Sequence, residues 1–174
     1  MYLKKLFLMT LTAVAVTSLA SCSDDDDNNT PNGPYVPQAC LEKFAQQYPD
    51  AKNVKWEIKA PYFVAEFHSN NNLEETESWY KADGTWAMSE TDYGADLFMI
   101  PTAVNLAFNQ TEYAQWPIDD IKYYQYPAGN SDFYLIEVKD TDPKPDMQLY
   151  FKPDGTLIKT TPDSGADITP DTVI

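Results

Sequence analysis

The chain has 174 residues, is 43% hydrophobic and 14% aromatic, and carries a formal charge of −15 without a single Arg. Arg supplies the planar, bidentate fork that suits phosphate and guanine edges, and a strongly acidic chain is repelled by a phosphate backbone, so nucleic acid is excluded as a partner. With a leader and a tether set aside, roughly 125 to 135 residues remain, enough for one domain with a sizeable core.

Residues 1–21 read as a bacterial export signal. Lys4 and Lys5 form a positive start, and residues 6–20 form an apolar stretch too short for a comfortable membrane span. The stretch ends in Leu19-Ala20-Ser21-Cys22, which resembles the lipobox of bacterial lipoproteins: a branched residue, two small residues, then the cysteine that takes the lipid. This predicts cleavage before Cys22, lipidation of Cys22 and attachment to a membrane of the cell envelope through that lipid. Loss of Lys4 and Lys5 leaves a charge of −17.

Residues 22–35 are polar, charged and rich in turn formers, a composition that cannot bury enough to order itself, so a flexible tether is expected. Its Asp24-Asp25-Asp26-Asp27 run does not have the spacing of a calcium loop, because adjacent carboxylates do not converge on one ion. The run resembles the acidic export signal after the lipidated cysteine in surface lipoproteins of Bacteroidetes, which implies an outer-membrane, surface-exposed location. Acids beside the anchor also hold the domain off an anionic leaflet. With Cys22 acylated, Cys40 is a single thiol, expected to be a small buried apolar residue.

The folded part contains a duplication. Val36, Cys40, Phe44 and Tyr48 recur every four residues behind Pro37, which predicts a helix with one buried face running to Tyr48 and Pro37 at its first position. Val54, Trp56 and Ile58 alternate with Lys55, Glu57 and Lys59, a half-buried strand. Strands over 62–68 and 75–81, a hairpin turn at Asp83-Gly84 and a strand over 85–91 follow. The second copy starts with Ile100, Val104 and Phe108 behind Pro101, a helix expected to run to Tyr113. Strands over 121–126, 133–139 and 147–152, a turn at Asp154-Gly155 and a strand over 156–160 complete it. Tyr80-Lys81-Ala82-Asp83-Gly84-Thr85 recurs 71 positions later as Phe151-Lys152-Pro153-Asp154-Gly155-Thr156, whereas the helices are offset by 64, so the second copy has about seven extra residues around 114–117.

The expected architecture is therefore α+β. Two tandem helix-plus-antiparallel-meander repeats, residues 36–92 and 99–162, form one roughly eight-stranded sheet with helices on one face. Residues 163–174 read as a loose tail. Within it Asp171-Thr172-Val173 looks like the short acidic O-glycosylation motif of Bacteroidetes, with Thr172 as acceptor.

Over residues 36–162 the helix-then-meander repeat, the Tyr-Pro-Asp-Ala-Lys-Asn-Val-Lys-Trp-Glu run at 48–57 and the two Lys-x-Asp-Gly-Thr turns resemble the PepSY-like domain of Bacteroidetes lipoproteins. That family is described as similar in fold to the beta-lactamase inhibitory protein. The resemblance implies a non-catalytic binding or inhibitory role outside the cytoplasm, and it carries no catalytic residue over. The chain departs from the inhibitory protein in lacking the disulfides expected there.

Enzyme chemistry finds little support in the residues. The one histidine is His68, there is no Gly-x-Ser-x-Gly elbow and no phosphate-cradling glycine loop, and one His with one free Cys does not make a zinc site, so no catalytic residue, metal or cofactor is expected. Glu66 and Glu137 occupy equivalent places in the repeats and could form an acid–base pair, but they read better as polar residues of two solvated strand faces. His68 reads as a surface residue at a strand end. Tyr62, Trp79, Tyr80, Tyr124, Tyr126 and Tyr134 exceed the needs of one small core and are the expected binding face. Surrounding acids favour a basic protein, with an envelope enzyme as another protein target, and a glycan stacked on the rings is the alternative.

Overall fold

The computed structural model describes residues 34–68, 74–127, 132–140, 145–172 and 174. The leader, Cys22, the tether up to residue 33 and Val173 lie outside the described residues.

Helix α1 (Gln38–Gln47) precedes strands β1 (Lys52–Lys59), β2 (Tyr62–His68), β3 (Glu75–Tyr80) and β4 (Trp86–Asp92). Helix α2 (Thr102–Phe108) precedes β5 (Ile118–Gln125), β6 (Phe133–Val138), β7 (Met147–Phe151) and β8 (Leu157–Pro162). The strands form one antiparallel sheet in chain order, β1 to β8. The halves join through β4 and β5, with Glu90 opposite Tyr124 and Asp92 opposite Lys122.

Both helices lie on one face because the alternation delivers apolar residues there. Cys40 and Phe44 of α1 pack on Ala65, Phe67 and Tyr80, while Val104 and Phe108 of α2 pack on Ile121, Tyr134, Ile136 and Phe151. Cys40 is fully buried and its thiol donates to the Lys81 carbonyl at 3.1 Å. Between these clusters the helix-side face is polar but satisfied. Ser78 and Ser89 share a hydrogen bond at 2.9 Å, Ser89 also meets the Tyr48 hydroxyl at 2.8 Å, and Trp86 Nε1 donates to it at 2.9 Å.

Local details differ from the periodicity. Pro37 and Pro101 sit one position earlier than expected, at the helix caps with extended ψ, where their carbonyls accept the first helical hydrogen bonds. Helix α2 stops at Phe108 instead of Tyr113, because Asn109 and Thr111 side chains capture the carbonyls of Asn105 and Phe108. Strand β1 is an edge, so Val54 and Ile58 are exposed and only Trp56 reaches the core, 5.5 Å from Phe44. A bulge at Asn53, with φ of 55°, and three lysines blunt that edge.

The hairpin tips superimpose in chemistry. Gly84 and Gly155 have φ of +82° and +87°, and the preceding Asp accepts from the backbone N–H of Thr85 or Thr156 at 2.9 Å in each case. Each glycine backs onto the first turn of its own repeat's helix, against the carbonyls of Ala39 and Ala103.

Candidate functional site

The face of the sheet away from the helices has its own apolar cluster. Val64, Trp79 and Met88 line up across β2, β3 and β4, and Tyr124 opposes Phe133 across β5 and β6. Tyr62 meets Trp79 edge-on at 5.9 Å, Tyr124 stacks on Phe133 at 4.8 Å, and Phe133 reaches Tyr150 at 5.6 Å. Tyr126 packs at the margin of the same cluster.

Four of the six aromatics expected on a binding face therefore belong to it: Tyr62, Trp79, Tyr124 and Tyr126. Tyr80 and Tyr134 do not. Tyr80 follows Trp79 directly, so the pleat turns it to the opposite side, under α1. Tyr134 opposes Tyr123 and Phe151 and is buried under α2. Phe133 and Tyr150 take their place. The signal for Phe133 was the adjacency to Tyr134, which inverts once the register is known.

A row of like charges runs beside the rings. Glu66, Glu77 and Glu90 are direct cross-strand neighbours, an arrangement that repels by itself. Each has its own lysine: Lys55 on Glu66 at 3.0 Å, Lys59 on Glu77 at 2.9 Å and Lys122 on Glu90 at 2.9 Å. Lys59 also lies 5.0 Å above the Trp79 ring. Burial raises the Glu77 carboxyl pKa, with Lys59 pulling the other way. Burial works against the Lys122 ammonium, but Glu90, Asp120 and Asp92 outweigh it and hold its pKa above the usual lysine value. Glu66 and Glu137 sit on β2 and β6 with three strands between them, so they form no acid–base pair. His68 closes β2 beside Glu75, half-buried and with Nδ1 shielded from solvent.

The segment expected as a loose tail lies on this face. Gln148, 6% exposed, donates through one amide nitrogen to Glu137 at 2.8 Å and to Asp163 at 2.9 Å, tying the start of the segment to the sheet. Ile168 is 7% exposed and belongs to the same cluster as Tyr62, Trp79 and Tyr124. Farther on, the Tyr62 hydroxyl donates to Asp171 at 3.0 Å. Thr172, the expected glycosylation acceptor, is half-buried and its hydroxyl accepts from the Thr169 N–H at 2.9 Å. From β8 to β2 the segment crosses six strand spacings, ~29 Å on a flat sheet, close to the ~30 Å reach of nine extended residues.

Two cavities flank it. One, of about 280 Å³, is bounded by Lys59, Glu77, Glu90, Glu137, Asp163 and Ile168. The other, of about 330 Å³, lies between Tyr62 and Trp79 on the sheet and Thr169 and Asp171 on the segment. Among the described residues no group of three or more His, Cys, Asp or Glu is placed to hold a metal ion.

The profile of the family described as beta-lactamase-inhibitor-like, PepSY-like matches residues 61–159. The chain belongs to that family. The alternation that positions the open face is thus a family fold, and solved structures share it. A BLIP-like protein from Bacteroides fragilis is 29% identical with a TM-score of 0.70, covering 80% of this chain and 94% of its own. A DUF2874 family protein from Bacteroides ovatus is 28% identical with a TM-score of 0.68, covering 75% and 89%. A Bacteroides eggerthii structure described under "putative periplasmic proteins" is 26% identical with a TM-score of 0.67, covering 76% and 93%. A search of curated proteins finds no match.

Proposed function

We propose that this is an exported lipoprotein of the outer membrane, held by lipid on Cys22, whose open sheet face binds another protein without catalysing a reaction. The observation that carries the reading is the second apolar cluster. Trp79, Tyr124, Phe133 and Tyr150 gather on the face that the helices leave uncovered, beneath residues 163–172 of the chain itself, which have neither helix nor strand. Around the cavity on this face the carboxylates of Glu77, Glu90, Glu137, Asp163 and Asp167 outnumber Lys59 and Lys122, which favours a basic partner. The inhibitor-like description of the family and the BLIP-like relative support a binding role, and the periplasmic description of another relative supports export. Among the described residues no helix is long and apolar enough to cross a membrane, so the lipid is the anchor this reading relies on. A glycan would stack on an open ring, and Trp79 and Tyr124 are 3% and 2% exposed, so neither ring presents a face to a sugar.

Two experiments test it. Cys22→Ala should abolish labelling by a fatty-acid analogue and leave a precursor of higher mass, and continued labelling would refute the anchor. A photoreactive residue at Lys55, Glu57 or Lys159 should crosslink one common envelope protein in intact cells, while the same group at Leu106 on α2 should not. Equal crosslinking from both faces would refute a binding face.

A further inference from the structure

The open face is not empty: this chain's own residues 163–172 lie on it. Ile168 supplies an aliphatic anchor to the cluster of Tyr62, Trp79, Tyr124 and Leu135, and polar ties hold the segment on either side of it, Gln148 to Asp163 and Tyr62 to Asp171. Between the anchor and those ties the segment has no helix or strand, and most of its residues are exposed. It is a strap with one apolar peg.

The strap fits the face in shape but not in charge. Its charged residues are Asp163, Asp167 and Asp171, all acidic. The cavity beside the peg is lined by Glu77, Glu90 and Glu137 against Lys59 and Lys122, and each of those lysines is already engaged by a glutamate. Asp167 borders both cavities and adds a further negative charge to an acidic surface. The structure assigns to residues 163–172 the role of a displaceable strap, occupying the open face until an extended segment of a partner protein, with a branched aliphatic residue in the place of Ile168 and a lysine or arginine in the place of Asp167, takes it over. This rests on the open face being the binding face and adds to that reading what the partner must look like and what it must displace.

The test alters the peg and the mismatched charge in the full chain and needs no partner. Readouts are hydrogen exchange of residues 163–172 and fluorescence of Nile red, a neutral dye that the acidic face does not repel. Ile168→Asp should raise exchange of the segment about tenfold or more, as loss of one buried aliphatic side chain implies, and raise dye fluorescence, while the sheet keeps one melting transition. Asp167→Lys should act in the opposite sense, slowing exchange about two- to threefold. A synthetic peptide of residues 163–172, added in excess to the Ile168→Asp protein, should reverse the dye signal, and the same peptide carrying D167K should do so at lower concentration. If Ile168→Asp unfolds the sheet, or leaves the segment as protected as before, the strap is part of the permanent core and the proposal falls. If Asp167→Lys speeds exchange, the charge mismatch is refuted. Should the strap behave as stated while photocrosslinking from the open face captures nothing in either variant, the binding-face reading fails and the strap stands. If crosslinking succeeds equally in wild type and both variants, the partner does not compete with the strap and this inference fails alone.

Discussion

Asp120 is the residue whose environment opposes its charge most clearly. Burial and the neighbouring Asp92 push its carboxyl up to about 6 from 3.8, with Lys122 and the Ile121 N–H pulling the other way. A carboxyl raised in the folded state contributes stability when protonated: the contribution is complete below about 3.8 and is lost as pH rises through about 6. Asp120→Asn should therefore melt higher than wild type at pH 7, by ~1 kcal/mol after allowance for solvent screening, and the difference should vanish near pH 4. Thermal melts at the two pH values decide it, and a gap of the same size at both would show that packing, not charge, sets the effect. Cys40 makes the complementary point. Burial raises its thiol pKa, which fits a packed side chain and gives no hint of a nucleophile.

At the scale of elements, the two Lys-x-Asp-Gly-Thr hairpins are one device used twice. A side chain at Gly84 would put its Cβ 2.6 Å from the Ala39 carbonyl oxygen, and at Gly155 2.5 Å from that of Ala103. The glycine thus serves both a left-handed turn and close contact with the helix start. Gly84→Ala and Gly155→Ala should each cost about 3 kcal/mol, more than the turn conformation alone, because the first turn of the helix has to move. Denaturant titration checks the size, and a cost of ~1 kcal/mol would mean the hairpin swings free of the helix. The paired aspartates show the same repetition: hydrogen bonds from Thr85 and Thr156 lower the carboxyl pKa of Asp83 and Asp154. This repetition was legible in the sequence because a tight turn demands particular residues at particular places. The end of α2 was not, because the Asn109 and Thr111 side chains compete for the carbonyls of Asn105 and Phe108 in a way that apolar spacing does not register.

Across the whole described domain, one sheet carries both repeats. Helix α1 covers the first, α2 the second, and β4 against β5 makes them continuous. Phe44→Ala and Phe108→Ala should each cost about 3–5 kcal/mol and still give a single unfolding transition by both aromatic and backbone signals. Two separated transitions would show that the β4–β5 seam does not couple the halves. On the helix side β4 brings Ser89 and Thr91 to the seam, opposite Gln125 and Tyr123 of β5, and both hydroxyls are buried and hydrogen-bonded to Ser78 and Thr76 of β3, so β4 is polar at the junction where each half is apolar.

By itself the sequence determined the class and the count: two helices, eight strands, one duplication and helices on a single face of the sheet. Short-range periodicity and turn chemistry carry that information, and both are written in neighbouring residues. It also identified an aromatic surplus, but not its division. Trp79 and Tyr80 are adjacent and equally aromatic, and only the register of β2 against β3 sends one to the open face and the other beneath α1. Tyr124 and Tyr134 divide in the same way. The lone Ile168 in an acidic, structureless stretch looked like part of a loose tail, because no local pattern marks a residue whose partners lie up to six strands away. Tertiary structure decided its place, since a hydrophobic contact depends on which surfaces meet and not on how far apart they are along the chain.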